Sequence, residues 1–333
     1  MTKVFFRVDG NNQIGWGHII RSFALYEMLK EKFDCYFILK ESSPAIINYL
    51  KDSSVKLKII PSEKNLLEEA HYIANELLTH QELELIVLDG YHFNFSYQEI
   101  IKKKCLKLIC IDDLQIDRLA ADVIINHSGG VSPLSYSTQK NTFFCFGLDY
   151  ALLRKPFLEE AKKKQNYSFN KNIFICLGAS DPNNYLLELL TSLNGQLDKS
   201  FTLFIIVSND YAELSKLEKI KKESNCSIQI LKNLKDLELL EVMKKCSIGI
   251  CSPSTVAMEY LCTSGILFLQ LTAANQESMY DFYLENRFAY SLKALPTLLD
   301  EATLRTFMPI KKAIDGNSPQ RYIDLFTRLS EKC

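Results

Sequence analysis

The chain has almost no net charge: 39 Lys and Arg stand against 40 Asp and Glu across 333 residues. That balance excludes a global field that would draw it to nucleic acid or to an anionic membrane, so a charged ligand must be held by a local site. No apolar run approaches the length of about 18 residues that a membrane-spanning helix needs. The first residues, MTKVFFRVDG, lack a long apolar core and a small-residue cleavage site, so no secretory signal is expected there. Also missing is any Cys-x-x-Cys pair. The 10 cysteines are scattered, several inside apolar runs such as FFCFG and IFICLG, and read as small hydrophobes in a reducing compartment, not as disulfides or zinc ligands. No repeat or low-complexity tract stands out. The expectation is a soluble, cytoplasmic protein that acts on small molecules, with neither nucleic acid nor membrane as a partner.

What is present is a regular alternation. At 333 residues the chain is about twice the usual domain size of roughly 150, so two domains with a cleft between them are expected. Short apolar runs recur between amphipathic stretches: KVFFRV, CYFILK, KLKII, LELIVLD, LKLICID, ADVIIN and NTFFCFG, then KNIFICLG, FTLFIIVS, SIQILK, CSIGICS and ILFLQL. Continuous apolar strands that alternate with helices are what a parallel sheet covered on both faces requires. The pattern predicts two doubly wound, Rossmann-like α/β domains facing across a cleft. The charged segment FLEEAKKKQNYSFNKN has little to bury, which divides the chain into residues 1–155, a linker 156–171 and residues 172–333. The tail beyond about residue 278 reads as helical, with breaks at Pro296 and Pro309, and its terminal helices can cross back to the first domain.

In open parallel sheets ligands bind outside the carboxyl ends of the strands. The rule selects Asp9 to His18, Asp89 to His92, Asp112 and Asp113, Asn126 and His127, Gly178 to Asn184, Ser252 to Thr255, and Thr272 to Gln276. The most informative of these is GNNQIGWGH. Gly15 and Gly17 free the backbone to turn tightly, so His18 lands at a helix start beside N–H groups that favour anions. The turn is not the full G-x-G-x-x-G fingerprint, and simple connection of strand to helix remains open.

In the second half, Gly178 lets a backbone approach a ligand closely, while Asp181 or Asn183 can cap a helix starting near Asn184; capping and ligand contact are both open for Asp181. Ser252, Ser254 and Thr255 stand at another helix start suited to phosphate, and Glu259 lies four residues past Thr255, placed either to accept from a ribose diol or simply to face solvent. Asn275 and Gln276 supply side-chain amides, or only loop polarity. Asp112 and Asp113 are a poor metal pair because sequence neighbours point in different directions on a strand. His92 and His127 fit structural roles, and His71 and His80 fit a surface.

Taken in order, FRVDGNNQIGWGHIIR, VLDGYHF, ICIDDL, DVIINHS, FGLDYALLRKPF, CLGASDPNN, SPSTVAMEYL and ANQES resemble the nucleotide-sugar hydrolases of pseudaminic acid biosynthesis, from residue 3 to about 290. That family is similar to two-domain glycosyltransferases of the so-called B fold, the lipid II-forming transferase among them, and a spore-coat polysaccharide protein shares its motifs. The resemblance implies removal of UDP from UDP-2,4-diacetamido-2,4,6-trideoxy-β-L-altropyranose by water attack at the anomeric carbon, with inversion and with no metal or cofactor. It implies His18 as general base, Tyr91 and Asn275 as residues near the reacting centre, and contacts to substrate or nucleotide from Asp9, Gly15, Gly17, Arg21, Gly178, Asp181 and Gln276. Ser254 and Thr255 would cradle the diphosphate and Glu259 would hold the ribose. A monomer is expected.

The chain departs from the family pattern in three places. Gly90 stands where a histidine is frequent, with His92 able to fill that space; Gly178-Ala179 replaces a glycine pair; and Pro253 replaces a smaller residue. A glycosyltransferase of the same fold and a nucleotide-binding protein without chemistry are the rival functions.

Overall fold

The computed structural model describes the chain except residues 12–13, 79–83, 116–117, 139–140, 165, 179–180, 182, 210, 298, 309–310 and 332–333. His80, Ala179 and Pro309 therefore lie outside the described residues. The chain forms two compact units, Met1–Lys155 with Asn317–Cys333, and Pro156–Gly316.

The first unit carries β1 (Lys3–Val8), β2 (Asp34–Leu39), β3 (Lys56–Ile59), β4 (Glu84–Asp89), β5 (Lys107–Ile111), β6 (Val123–Asn126) and β7 (Phe143–Phe146). They form one sheet in the order β3-β2-β1-β4-β5-β6-β7, every neighbouring pair parallel. The second unit carries β8 (Asn172–Cys176), β9 (Thr202–Ile206), β10 (Ser227–Leu231), β11 (Ile248–Cys251), β12 (Ile266–Leu269) and β13 (Tyr290–Ser291), in the parallel order β10-β9-β8-β11-β12-β13. These are the two doubly wound Rossmann-like sheets that the alternation of apolar runs predicts. Only β13 escapes the sequence reading, because two residues make no run.

Apolar continuity explains the strands. In β4 and β6 every residue is buried, which fits central strands covered on both faces. One exception is Arg7, fully buried inside β1. Its guanidinium pairs with Asp9 at 2.6 Å and Glu69 at 2.7 Å, and Tyr97 also donates to Glu69. A buried charge persists only when paired and hydrogen-bonded, and this one is.

The expected linker differs from the structure. Residues Lys155–Lys162 form a helix that buries Phe157, Leu158 and Ala161, so the segment carries an apolar stripe among its charges and packs within the second unit. The C-terminal helix Ser318–Ser330 belongs to the first unit: Ser318 Oγ donates to Ala151 O at 2.8 Å, Tyr322 Oη to Tyr150 O at 2.8 Å, and Phe326 meets Phe33 edge-on. Among the described residues, no helix is long and apolar enough to cross a membrane.

Candidate functional site

In each sheet the strand order reverses once, between β1 and β4 and between β8 and β11. Such switch points open a crevice at the carboxyl ends of the strands. The residues at the first of them make a connected polar site.

The turn after β1 needs Gly15, whose φ is +79°, in the left-handed region that glycine occupies without cost. Gly17 differs from expectation: it opens the helix Gly17–Leu29 with no positive φ, and a Cβ built on it meets nothing within 4 Å. Gly10, where a Cβ would come within 2.7 Å of Ile46 and Ile19, is needed for close packing, and Gly15 for its φ. His18 follows as the second helical residue, as expected, and is buried. Asp89, the last residue of β4, is buried beneath the start of this helix, with its Oδ1 at 2.6 Å from His18 Nδ1. Arg21 donates to both oxygens of Asp89, from Nη2 at 2.6 Å and from Nε at 2.9 Å, and Ser22 Oγ donates to Oδ2 at 2.9 Å. Arg21 Nη1 then reaches Asp113 Oδ2 at 2.6 Å.

The charges settle the tautomer. Burial alone would raise the Asp89 carboxyl, but the Arg21 guanidinium and then His18 outweigh it and hold it well below the usual carboxylate range. An ionised carboxylate only accepts, so a 2.6 Å contact requires a proton on His18 Nδ1; in the neutral imidazole that tautomer carries its lone pair on Nε2. Arg21 Nη2, 2.9 Å from the same Nδ1, is then a neighbour and not a donor to it. This is a base oriented by a carboxylate that is itself clamped by a cation.

Tyr91 stands edge-on to the His18 ring, centroids 4.7 Å apart, with 45% of its surface exposed. Burial and the Asp113 charge push its phenol above the ordinary value. His127 is buried nearby at the end of β6, where Leu152 N donates to its Nδ1 at 3.0 Å; burial and then the Arg21 charge push it down to about 4, which suits the structural role expected of it.

Gly90 explains its own smallness. A Cβ there would come within 2.8 Å of the Phe93 ring and 3.1 Å of His92, whose ring lies 4.0 Å from Phe93. His92 occupies the space into which a side chain at 90 would project. Asp112 accepts from Leu114 N at 3.1 Å while Asp113 turns to Arg21, so the paired aspartates diverge as expected. Among the described residues, no group of three or more His, Cys, Asp or Glu side chains is placed to hold a metal ion.

Several residues expected to contact the ligand have internal partners. Asp9 is buried and accepts from Lys40 N at 2.8 Å, Glu41 N at 3.0 Å and Ser42 Oγ at 3.1 Å, besides pairing with Arg7; it ties the loop after β2 to β1. Arg21 is buried and donates from Nε, Nη1 and Nη2 to Asp89 and Asp113, so it organises the site. Asp181 caps the helix Tyr185–Asn194, accepting from Tyr185 N at 3.0 Å and Leu186 N at 2.9 Å. Gln276 Oε1 accepts from Thr272 N at 3.0 Å and Thr272 Oγ1 at 3.1 Å, closing its own loop.

At the second switch point stand Gly178, after β8, and Ser252 to Thr255, after β11. Gly178 follows β8 with φ +106°, a conformation that excludes ordinary side chains. Ser252 follows β11, with its Oγ 3.2 Å from Ser254 Oγ, and Thr255 opens the helix Thr255–Leu261. Glu259 is buried to 2% exposure, which removes the alternative of a solvent-facing glutamate. Asn275 is exposed in the short turn Ala274–Gln276. His71 is exposed, as expected.

Sequence reasoning singled out His18 and missed what orients it. The signal was present: His18, Arg21 and Ser22 are spaced three and four apart, on one helix face, and all three converge on one carboxylate at a strand end.

No protein-family model matches the chain. It is 26% identical over 238 residues to the UDP-2,4-diacetamido-2,4,6-trideoxy-beta-L-altropyranose hydrolase of Campylobacter jejuni, covering 67% of this chain and 76% of that protein. It is 24% identical over 189 residues to the spore coat polysaccharide biosynthesis protein SpsG of Bacillus subtilis, covering 55% of this chain and 52% of that protein, about half of that relative's length. The solved structure of Acinetobacter baumannii MurG matches with a TM-score of 0.66 and 13% identity, over 98% of this chain and 100% of that one. At that identity the likeness speaks for the fold alone, and it extends over both Rossmann-like units. The sequence matches make the chain a distant relative of the hydrolase and of SpsG.

Proposed function

We propose that this protein hydrolyses a UDP-linked 2,4-diacetamido-2,4,6-trideoxy sugar to UDP and the free sugar, a step of pseudaminic acid biosynthesis. The observation that carries the reading is the 2.6 Å contact between His18 Nδ1 and Asp89 at a strand-end switch point, which favours the neutral tautomer whose Nε2 can accept a proton. Water attacks the anomeric carbon and gives its proton to His18 Nε2. The bond from that carbon to the diphosphate oxygen breaks, its electron pair leaves with UDP, and the configuration inverts. UDP is a good leaving group, so one base suffices where ordinary glycosidases use two carboxylates. The distant likeness to the Campylobacter hydrolase supports the choice of substrate.

In this reading Tyr91 and Asn275 contact the sugar near the reacting carbon. Ser254, Thr255 and Gly178 receive the diphosphate through backbone N–H groups and hydroxyls, since the first amides of a helix have no acceptor within it. Glu259 accepts from the ribose hydroxyls. The protein works in the cytoplasm as a monomer.

The test is product formation. Incubation with UDP-2,4-diacetamido-2,4,6-trideoxy-β-L-altropyranose, with and without added divalent metal, releases UDP and free sugar in a one-to-one ratio seen by NMR. His18→Ala lowers turnover by about 10²- to 10⁴-fold while UDP affinity barely changes. No UDP release under either condition overturns the reading, and release that depends wholly on an added acceptor converts it into a transferase.

A further inference from the structure

Arg21 joins two carboxylates, and each borders one of the two rings of the site. Asp89 orients His18. Asp113 gives Oδ2 to Arg21 Nη1 at 2.6 Å, and its other oxygen, Oδ1, is buried and accepts no hydrogen bond among the described residues. Burial would raise this carboxyl, yet Arg21 holds it below its ordinary range, so the orphan oxygen is anionic. A buried anionic oxygen without a donor is costly, and such an atom in a native structure calls for a partner. The adjacent side chain with a donor to offer is Tyr91: its ring is packed on the edge of His18, it keeps 45% exposure and hence freedom to rotate, and its ionisation is opposed first by burial and then by the Asp113 charge.

Resting on the hydrolase reading above, we propose that Asp113 is the positioning residue for Tyr91, as Asp89 is for His18. A small rotation of the phenol lets its O–H donate to Asp113 Oδ1. The Tyr91 oxygen then turns its lone pairs outward, which makes it an acceptor for an N–H or O–H of the substrate. A sugar bearing acetamido groups presents such N–H donors. One guanidinium thereby aligns both the base that takes the proton of water and the acceptor that selects the sugar. A site built to accept from a substrate N–H discriminates strongly against an analogue without it.

The experiment is a double-mutant cycle with Tyr91→Phe and Asp113→Asn, read as kcat and KM for the diacetamido substrate, beside NMR of protein labelled at the tyrosine ζ-carbon. Each single change lowers kcat/KM by about tenfold, chiefly through KM, and the double variant loses about the same tenfold because both remove one interaction. Losses that multiply to about a hundredfold overturn the pairing. The NMR arm needs no turnover. The Tyr91 signal, assigned by its loss in Tyr91→Phe, titrates above an ordinary tyrosine in the ligand-free protein and moves down in Asp113→Asn; an unmoved titration overturns the pairing even if no substrate is turned over. Absence of UDP release from the wild-type protein, with the NMR shift present, sinks the hydrolase reading and leaves the pairing standing. Should Asp113→Asn fail to fold, Asp113→Ser removes the charge with a smaller side chain, and the same downward shift must appear.

Discussion

His18 and Asp89 are 71 positions apart in the chain, yet Asp89 Oδ1 lies 2.6 Å from His18 Nδ1. The contact exists because β1 and β4 are parallel neighbours, with Val8 level with Asp89, and because the helix after β1 starts above that level. A strand-end carboxylate and a helix-start imidazole are brought together by sheet order alone. Asp89 is also the hub for Arg21 and Ser22, so this one carboxylate decides the geometry of the whole site.

Asp89→Asn tests that hub. The amide keeps the shape but can present a donor where the carboxylate accepts, which disfavours the Nδ1–H tautomer of His18; turnover falls by about 10²-fold or more. It also leaves Arg21 with a single carboxylate partner, at a cost of about 3 kcal/mol or more. Because the folded carboxyl is held below its ordinary value, its contribution is present above about pH 3.9, the unfolded value, and is lost as pH falls further. Denaturant melts therefore show the widest gap between wild type and variant at neutral pH and a narrowing gap in acid. A pH-independent gap counts against the charge role.

His127 titrates with the opposite consequence for its own charge. Its folded value is pushed down to about 4 from 6.5, so between these values the unfolded chain binds a proton that the native state refuses. Stability falls as pH drops through that window, by about 3 kcal/mol in all. His127→Asn, whose side-chain oxygen can still accept from Leu152 N, flattens the decline between pH 6.5 and 4. Equal slopes for wild type and variant across that window would contradict the assignment.

Gly15 and Gly17 of the opening turn separate cleanly. Gly15→Ala forces a side chain into φ +79° and costs about 1–2 kcal/mol. Gly17→Ala, at the first helical position with open space around its Cβ, is neutral or stabilising by up to about 1 kcal/mol. Thermal melts rank the two, and a Gly17→Ala variant as damaged as Gly15→Ala is the contrary result.

Asp181 caps a helix, and Glu259 is proposed to hold the ribose. Asp181→Ala removes a cap from the helix Tyr185–Asn194, costing about 1 kcal/mol of stability with UDP affinity unchanged. Glu259→Gln weakens UDP binding by about tenfold or more, the scale of a charged hydrogen bond. Calorimetry of UDP with both variants decides: loss of affinity in Asp181→Ala, or none in Glu259→Gln, reverses the assignment.

Legibility followed the range of the interaction. Strand runs such as LELIVLD could be read directly, since a doubly covered strand carries a nearly continuous apolar stretch, here Leu85–Leu88, that announces itself within six residues. The segment Lys155–Lys162 could not, because its buried Phe157, Leu158 and Ala161 sit among charges that suggested a solvated linker. For Asp9 and Asp181, nothing local reveals that Lys40, Glu41 and Ser42, or the amides of Tyr185 and Leu186, donate to them.

By itself the amino-acid order determined the two parallel α/β sheets, the turn at Gly15 and the position of His18 at a helix start, all consequences of periodicity and backbone sterics acting over a few residues. Which carboxylate orients that histidine, which cation clamps the carboxylate, and whether Glu259 is buried were decided only by tertiary structure. Those facts depend on side chains from the helix after β1, the end of β4 and the turn after β5 meeting, and on the packing of the helix Thr255–Leu261 that carries Glu259, and no short window of sequence contains both halves of such a contact.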